Sequence, residues 1–164
     1  FFSALYGAQG TTAVLEISPV IEETVKLLPL LFGLIVFELC PEDGGNIIFN
    51  IAVGFATFEN VCYLLENGTG SMFYLFVRGF SSGAIHITCA FIIGYGLRVF
   101  RHPAALRAAG IFGLLCVAIT FHATFNMFMK TDGIIKQLGY AVPIVSCVIL
   151  LLLKAPFRKL TASK

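Results

Sequence analysis

The stretch SMFYLFVRGFSSGAIHITCAFIIGYGLRVF, residues 71–100, decides the fold. Apolar residues fall on every side of it, its ionisable residues before Arg98 are Arg78 and His86 apart from tyrosine and cysteine, and it runs into a basic turn, RHP, at 101–103. A membrane-crossing helix needs ~20 mostly apolar residues, and a helix that is hydrophobic all round is one surrounded by lipid or deeply buried. This stretch therefore predicts a transmembrane helix that carries two polar groups into the bilayer.

Working outward, polar punctuation sets off four more apolar runs. One covers Ala13 to Leu39 and ends at CPEDGGN, where Pro41 and the Gly44–Gly45 pair are expected to stop a helix. A second covers Asn46 to Glu66 and ends at ENGTGS; with 71–100 as the third in chain order, the fourth covers Ala105 to Met129 before KTDG and the last Leu138 to Leu153. Short alternating segments, the mark of a membrane barrel, are absent from the pattern. The predicted architecture is all-α: a multi-pass bundle of about five membrane helices, forming a single integral-membrane domain over 1–164. The opening FFSALYGAQG has no basic flank or cleavage pattern of a signal peptide. It reads as the end of an earlier membrane segment, so the bundle is expected to be truncated at its N-terminus.

Composition agrees. The 164 residues are 58% hydrophobic and 12% charged, against roughly 45–50% and about 25% in soluble domains. A small soluble fold could not hide that much apolar surface, and such hydrophobicity also excludes disorder. Lipid is the expected surrounding, and a net charge of +2 is too mild to call for nucleic acid. The five cysteines are scattered with no CxxC or CxxH, so they read as packing residues and not as a disulfide or zinc framework. Lysine and arginine gather in two places: Arg98, Arg101 and Arg107 around one loop, and Lys154, Arg158, Lys159 and Lys164 in the tail. By the positive-inside tendency both face the cytoplasm, which puts the C-terminus inside and ENGTGS outside.

Against that apolar background, the ionisable residues inside the runs stand out. Each costs about 2.5–3.5 kcal/mol on insertion scales when charged at the centre of a helix. The first run keeps Glu22, Glu23 and Lys26, the second Glu59, the third His86 and the fourth His122, with Asn126 one turn on. Counting the helical rise from each midpoint puts Glu22 and His122 ~6 Å and Glu59 ~3 Å to the outer side, with His86 near the centre. Four helices thus place polar groups in one layer. His122 and Asn126 share a face at i, i+4, as do Glu22 and Lys26, while Arg78, Ser82 and His86 form a stripe along the third run. Gly79 and Gly83 make a GxxxG step, and Gly54 thins the second run, so close helix approach is expected at both. A single membrane histidine or Glu–Lys pair is commonly a packing or structural feature. Three glutamates, two histidines and an asparagine at one depth point instead to a site. His102, beside Pro103 in the basic loop, reads as solvated.

Carboxylates, imidazoles and an amide suggest water activation. Amide hydrolysis needs a base, donors for the oxyanion and an acid for the leaving amine. Glu22 and Glu23 supply the base, with Lys26 able to keep one of them ionised. His122 and Asn126 are two neighbouring oxyanion donors, and His86 orients water or serves as the acid. Two histidines and a glutamate also make an open zinc site. HExxH is missing, so the residues favour a reading without a cofactor and leave a zinc ion as the alternative.

ISPVIEETVK (17–26) resembles the EExxK motif of the PrsW family of intramembrane proteases, and GFATFEN (54–60) its FxxxE element. RGFSSGAIHITCAFIIGYG (78–96) is similar to its histidine-bearing segment, and FHATFN (121–126) to its HxxxN. The resemblance covers roughly residues 13–130 and extends to order and helix placement; the related CAAX-processing prenyl endopeptidases carry EExxxR instead. It implies a glutamate-dependent protease of a prokaryotic cell membrane that cleaves a membrane-anchored protein, such as an anti-sigma factor. It also implies catalytic roles for Glu22, Glu23, Glu59, His86, His122 and Asn126. Two other readings remain open on the residues: a proton-coupled carrier using Glu59 and the histidines, and a non-catalytic membrane scaffold or chaperone. Nothing in the sequence specifies an oligomeric state.

Overall fold

The computed structural model describes residues 13–38, 43–68, 71–99 and 104–161. The N-terminal stretch 1–12, Cys40, Pro41, Arg101, His102 and Lys164 lie outside the described residues. The described chain is helical and contains no strand. One π-helical turn, Ala13–Ile17, leads into α1 (Ser18–Val36), followed by α2 (Gly44–Asn67), α3 (Met72–Val99), α4 (Ala104–Met129) and α5 (Ile134–Thr161).

Local chemistry sets the ends. Pro19 sits in the first turn of α1, where its missing N–H is no loss. Gly68 closes α2 at φ 69°, a left-handed conformation glycine takes freely, and its N–H caps the Leu64 carbonyl at 2.9 Å. Gly133, at φ 71°, turns the chain out of the α4 terminus and into α5. Thr131 Oγ1 donates to the Phe128 carbonyl at 2.7 Å and satisfies one of the last acceptors of α4. Three boundaries differ from the sequence pattern. The first helix ends at Val36, before Leu39; the last begins at Ile134, because Gly133 rather than the apolar run at Leu138 sets its start, and it continues past Leu153 to Thr161.

Gly44–Gly45 opens α2 instead of stopping α1, and its function is contact: a Cβ on Gly94 of α3 would meet Gly45 Cα at 3.1 Å. The backbones of α2 and α3 approach closely there. At the GxxxG step they do not, since a Cβ on Gly79 would only touch the Asn60 side chain at 3.8 Å and one on Gly83 would enter open space. Gly54 is open as well. Polar side chains of α2 and α3 occupy the level of Gly79, and they set the helix spacing.

The helices at Gly44–Glu66, Met72–Gly94 and Ala108–Met129 are long and apolar enough to cross a membrane. The α1 helix is 19 residues long and carries three charges; α5 contains the apolar segment Ile134–Leu150. Half of the α3 span is buried, against 17% for α2 and 22% for α4, so α3 is the central helix. It packs against α2, α4 and α5, while α1 lies against α2 and α4. Leu30, Ile48, Ile85, Cys89 and Ala118 form the core, and Phe32, Phe58, Phe73 and Phe112 point outward as a lipid-facing surface would. Cys89 and Cys147 are buried packing residues; Cys116 is exposed. This is a multi-helix membrane protein.

Candidate active site

The site forms where α1 and the central α3 meet α2 and α4. Glu23, Lys26, His86 and His122 are each at most 3% exposed, although every one is ionisable. Groups of this kind stay buried only when they are paired and hydrogen-bonded, and these are. Glu23 Oε1 accepts from Lys26 Nζ at 2.5 Å and from His122 Nδ1 at 2.7 Å. Lys26 therefore pairs one turn back with Glu23, and its Nζ also reaches His86 Nδ1 at 2.9 Å and stands 5.4 Å from the Phe55 ring centre.

Donor and acceptor roles follow from these contacts. An ammonium only donates, so His86 Nδ1 accepts from Lys26 and the ring proton sits on Nε2. His86 Nε2 donates it to Glu59 Oε2 at 2.6 Å. Ser82 Oγ donates to the same oxygen at 2.8 Å, and Arg78 Nη2 donates to Glu59 Oε1 at 3.0 Å. The Arg78, Ser82 and His86 stripe thus converges on a single carboxylate. On the other histidine, Glu23 accepts from Nδ1–H, which leaves His122 Nε2 to face Glu22 Oε2 at 3.6 Å. The His86 and His122 rings meet edge to face, with centres 5.1 Å apart.

Glu22 differs from its neighbour. Ser18 Oγ donates to Glu22 Oε1, and Glu22 Oε2 is buried without a hydrogen bond among the described residues. The 3.6 Å separation from His122 Nε2 is too long for a hydrogen bond. Both atoms present lone pairs to the same space when His122 is neutral.

Of the six residues predicted from sequence, Glu22, Glu23, His86 and His122 are joined directly or through Lys26, and Glu59 joins through His86. Asn126 follows one turn after His122 on α4 and is half-buried. Ser18, Asn60 and Tyr63 carry no motif in sequence reasoning. Ser18 was recoverable only as a hydroxyl one turn before Glu22, and Asn60 only as the amide beside Glu59.

A metal fits this donor set. Glu22, His86 and His122 each bring a ligand atom within 4.8 Å of the others. Two imidazoles and one carboxylate are a combination used by open zinc sites, and the orphaned Glu22 Oε2 is an acceptor lacking a cation or proton. Glu23 on His122 Nδ1 and Glu59 on His86 Nε2 supply the carboxylate–histidine contacts that orient metal-bound rings. His86 has its Nδ1 held by Lys26, so ligation through that atom requires the ammonium to withdraw.

The described helices of this membrane protein bury a carboxylate–imidazole cluster between them, a donor set of the kind that general acid–base and metal-assisted hydrolysis use. The sequence model described as the PrsW family intramembrane metalloprotease matches residues 2–153, and the chain belongs to that family. No curated protein and no solved structure matches it.

Proposed function

We propose that this protein is an intramembrane endopeptidase that hydrolyses a peptide bond in a membrane-anchored, single-span protein of the anti-sigma-factor kind. The observation that carries the reading is the unpartnered Glu22 Oε2 facing His122 Nε2 across 3.6 Å, in a chain of a metalloprotease family. Two buried acceptors pointing at one another are an unstable arrangement unless a proton or cation comes between them. Glu22, His86 and His122 would hold the ion, and zinc suits them. A bound zinc would supply Lewis acidity and a water acidic enough to attack at neutral pH.

The other residues have separable tasks. Glu23 holds the Nδ1 proton of His122 and so keeps its Nε2 directed at Glu22. Lys26 offsets the Glu23 charge in a dry environment. Glu22 offers its free oxygen to a proton or cation, and Ser18 fixes the carboxylate so that Oε2 is the free one. Asn126, on the same face of α4 as His122, offers amide donors to the developing oxyanion.

The test is cleavage of single-span membrane peptides by the full chain reconstituted in liposomes, with and without a zinc chelator. Cleavage that stops with chelator, returns with zinc and is absent in Glu22→Ala and His122→Ala is the expected result. Undiminished cleavage by either folded variant overturns the reading. Cleavage that ignores the chelator but needs Glu22 would leave the carboxylate as base and remove the metal.

A further inference from the structure

The network around Glu59 continues outward beyond the groups that line the Glu22–His122 space, and its outermost member is Arg78. We infer that Arg78 is a positioning residue that clamps Glu59 and, through it, holds the His86 imidazole in the orientation that turns Nε2–H to Glu59 and Nδ1 to Lys26. This role deepens the proposed function, since it rests on His86 being a site residue.

Arg78 is held from three directions. Nη2 donates to Glu59 Oε1 at 3.0 Å, Nη1 donates to Asn60 Oδ1 at 2.7 Å, and the guanidinium carbon lies 3.5 Å from the centre of the Tyr63 ring. The two nitrogens grip adjacent residues of α2 from α3, and the stacking ring fixes the plane of the fork. Asn60 is itself anchored to the Gly79 carbonyl of α3 through Nδ2 at 3.4 Å. A planar guanidinium so held presents a rigid pair of donors, which a lysine cannot reproduce.

The consequence reaches Glu59. The terminal torsion of a glutamate is broad and roughly two-fold, so partners and not the rotamer decide where each oxygen points. Arg78 takes Oε1; Oε2 is thereby turned to Ser82 and His86. The Glu59 side chain is 32% exposed, whereas His86 is fully buried. With Oε2 at 2.6 Å the proton of His86 belongs on Nε2, and Nδ1 keeps its lone pair toward Lys26 and the cluster. Without the clamp Glu59 Oε1 loses its partner, only Ser82 and His86 itself hold the carboxylate, and the Nε2–H hydrogen bond that orients the ring weakens. Every contact in this series joins α2 to α3, so Arg78 acts on His86 from two steps away.

The experiment uses the full chain in detergent with 15N-labelled histidine, read by the tautomer-sensitive ring nitrogen shifts, with cobalt(II) titration as a second readout. In the unaltered protein His86 is expected as the Nε2–H form. Arg78→Gln is expected to shift the His86 Nε2 signal as its hydrogen bond to Glu59 weakens, with Lys26 still on Nδ1, and to lower cobalt affinity about tenfold, the lower end of what carboxylate partners of metal-bound histidines contribute. The His122 signals should stay in place. Arg78→Lys should fall between the two, because it keeps the charge and loses the fork. Asn60→Ala loosens only one prong and gives a smaller shift in the same direction; it decides the matter if Arg78→Gln does not fold. An unshifted His86 Nε2 signal in whichever of these two variants folds overturns the inference. Failure of the unaltered protein to bind cobalt would count against the metal in the proposed function, and the shift of the His86 Nε2 signal would still decide the role of Arg78.

Discussion

Glu23 and His122 stand 99 positions apart in sequence, yet Nδ1 of the histidine donates to the glutamate at 2.7 Å inside the bundle. The contact ties α1 to α4 and dictates which imidazole nitrogen faces Glu22. Adjacent glutamates therefore have different tasks: Glu23 orients, and Glu22 presents a free oxygen. Replacing Glu23 by glutamine keeps the shape and removes the charge that draws the Nδ1 proton. The expected outcome is a 10–100-fold loss of zinc affinity, the range typical for such partners, with cleavage falling in parallel. Zinc titration of the purified variant checks it, and unchanged affinity would refute the orienting role.

Lys26 and Glu23 form an ion pair with both members at most 2% exposed. Breaking a buried pair by removing one partner costs about 3–5 kcal/mol, because the other charge is left uncompensated. Lys26→Met should therefore lower stability strongly in detergent unfolding, even though the apolar side chain suits its surroundings. The double variant Lys26→Met, Glu23→Gln should recover much of the loss. Additive losses in the double variant would show that the two residues are not energetically coupled.

Much of this was legible before any coordinates. The apolar runs were long enough to reveal α2, α3 and α4, and the scarcity of charge made each buried ionisable residue conspicuous. The i, i+4 stripe of Arg78, Ser82 and His86 correctly placed three side chains on one face, because a helix converts spacing into direction without further information. Pairing was not legible. Glu22 and Lys26 share the helical spacing of a salt bridge, but Lys26 binds Glu23, whose carboxylate is also held by His122, while Glu22 is held by Ser18. Glycine spacing misled for a related reason. Gly79 and Gly83 satisfy the GxxxG pattern, while the close approach lies at Gly45 and Gly94, two residues on different helices that no local pattern connects.

The packing of α5 gives a stability test away from the site. A Cβ on Gly139 would run into Met129 Cε and lie 2.7 Å from Phe128 Cβ. The methionine end can move, but the phenylalanine Cβ is fixed to the α4 backbone. Alanine would gain about 1 kcal/mol in helix propensity, and overpacking of this kind costs typically 1–3 kcal/mol. Gly139→Ala is expected to lower the unfolding temperature. Gly83→Ala, whose Cβ enters open space, should leave it unchanged or raise it. Equal behaviour of the two variants in the same detergent would contradict the close packing of α5 on α4.

Ser18 offers the most selective probe of Glu22. Its hydroxyl donates to Oε1 from one turn earlier on α1, and this leaves Oε2 as the oxygen turned toward His122. Ser18→Ala removes that restraint with minimal change in volume, so the fold should persist while the carboxylate rotates freely. Zinc affinity is then expected to fall about tenfold, as for other groups that orient a metal-binding side chain, and Ser18→Thr should restore it because the hydroxyl is retained. A purely structural role for the serine would instead lower stability in Ser18→Ala and leave affinity per folded molecule intact. The two outcomes separate in one set of measurements, zinc titration beside thermal unfolding. If affinity is unchanged in the alanine variant, Glu22 is held by something other than Ser18, and the free Oε2 is not a consequence of this hydrogen bond.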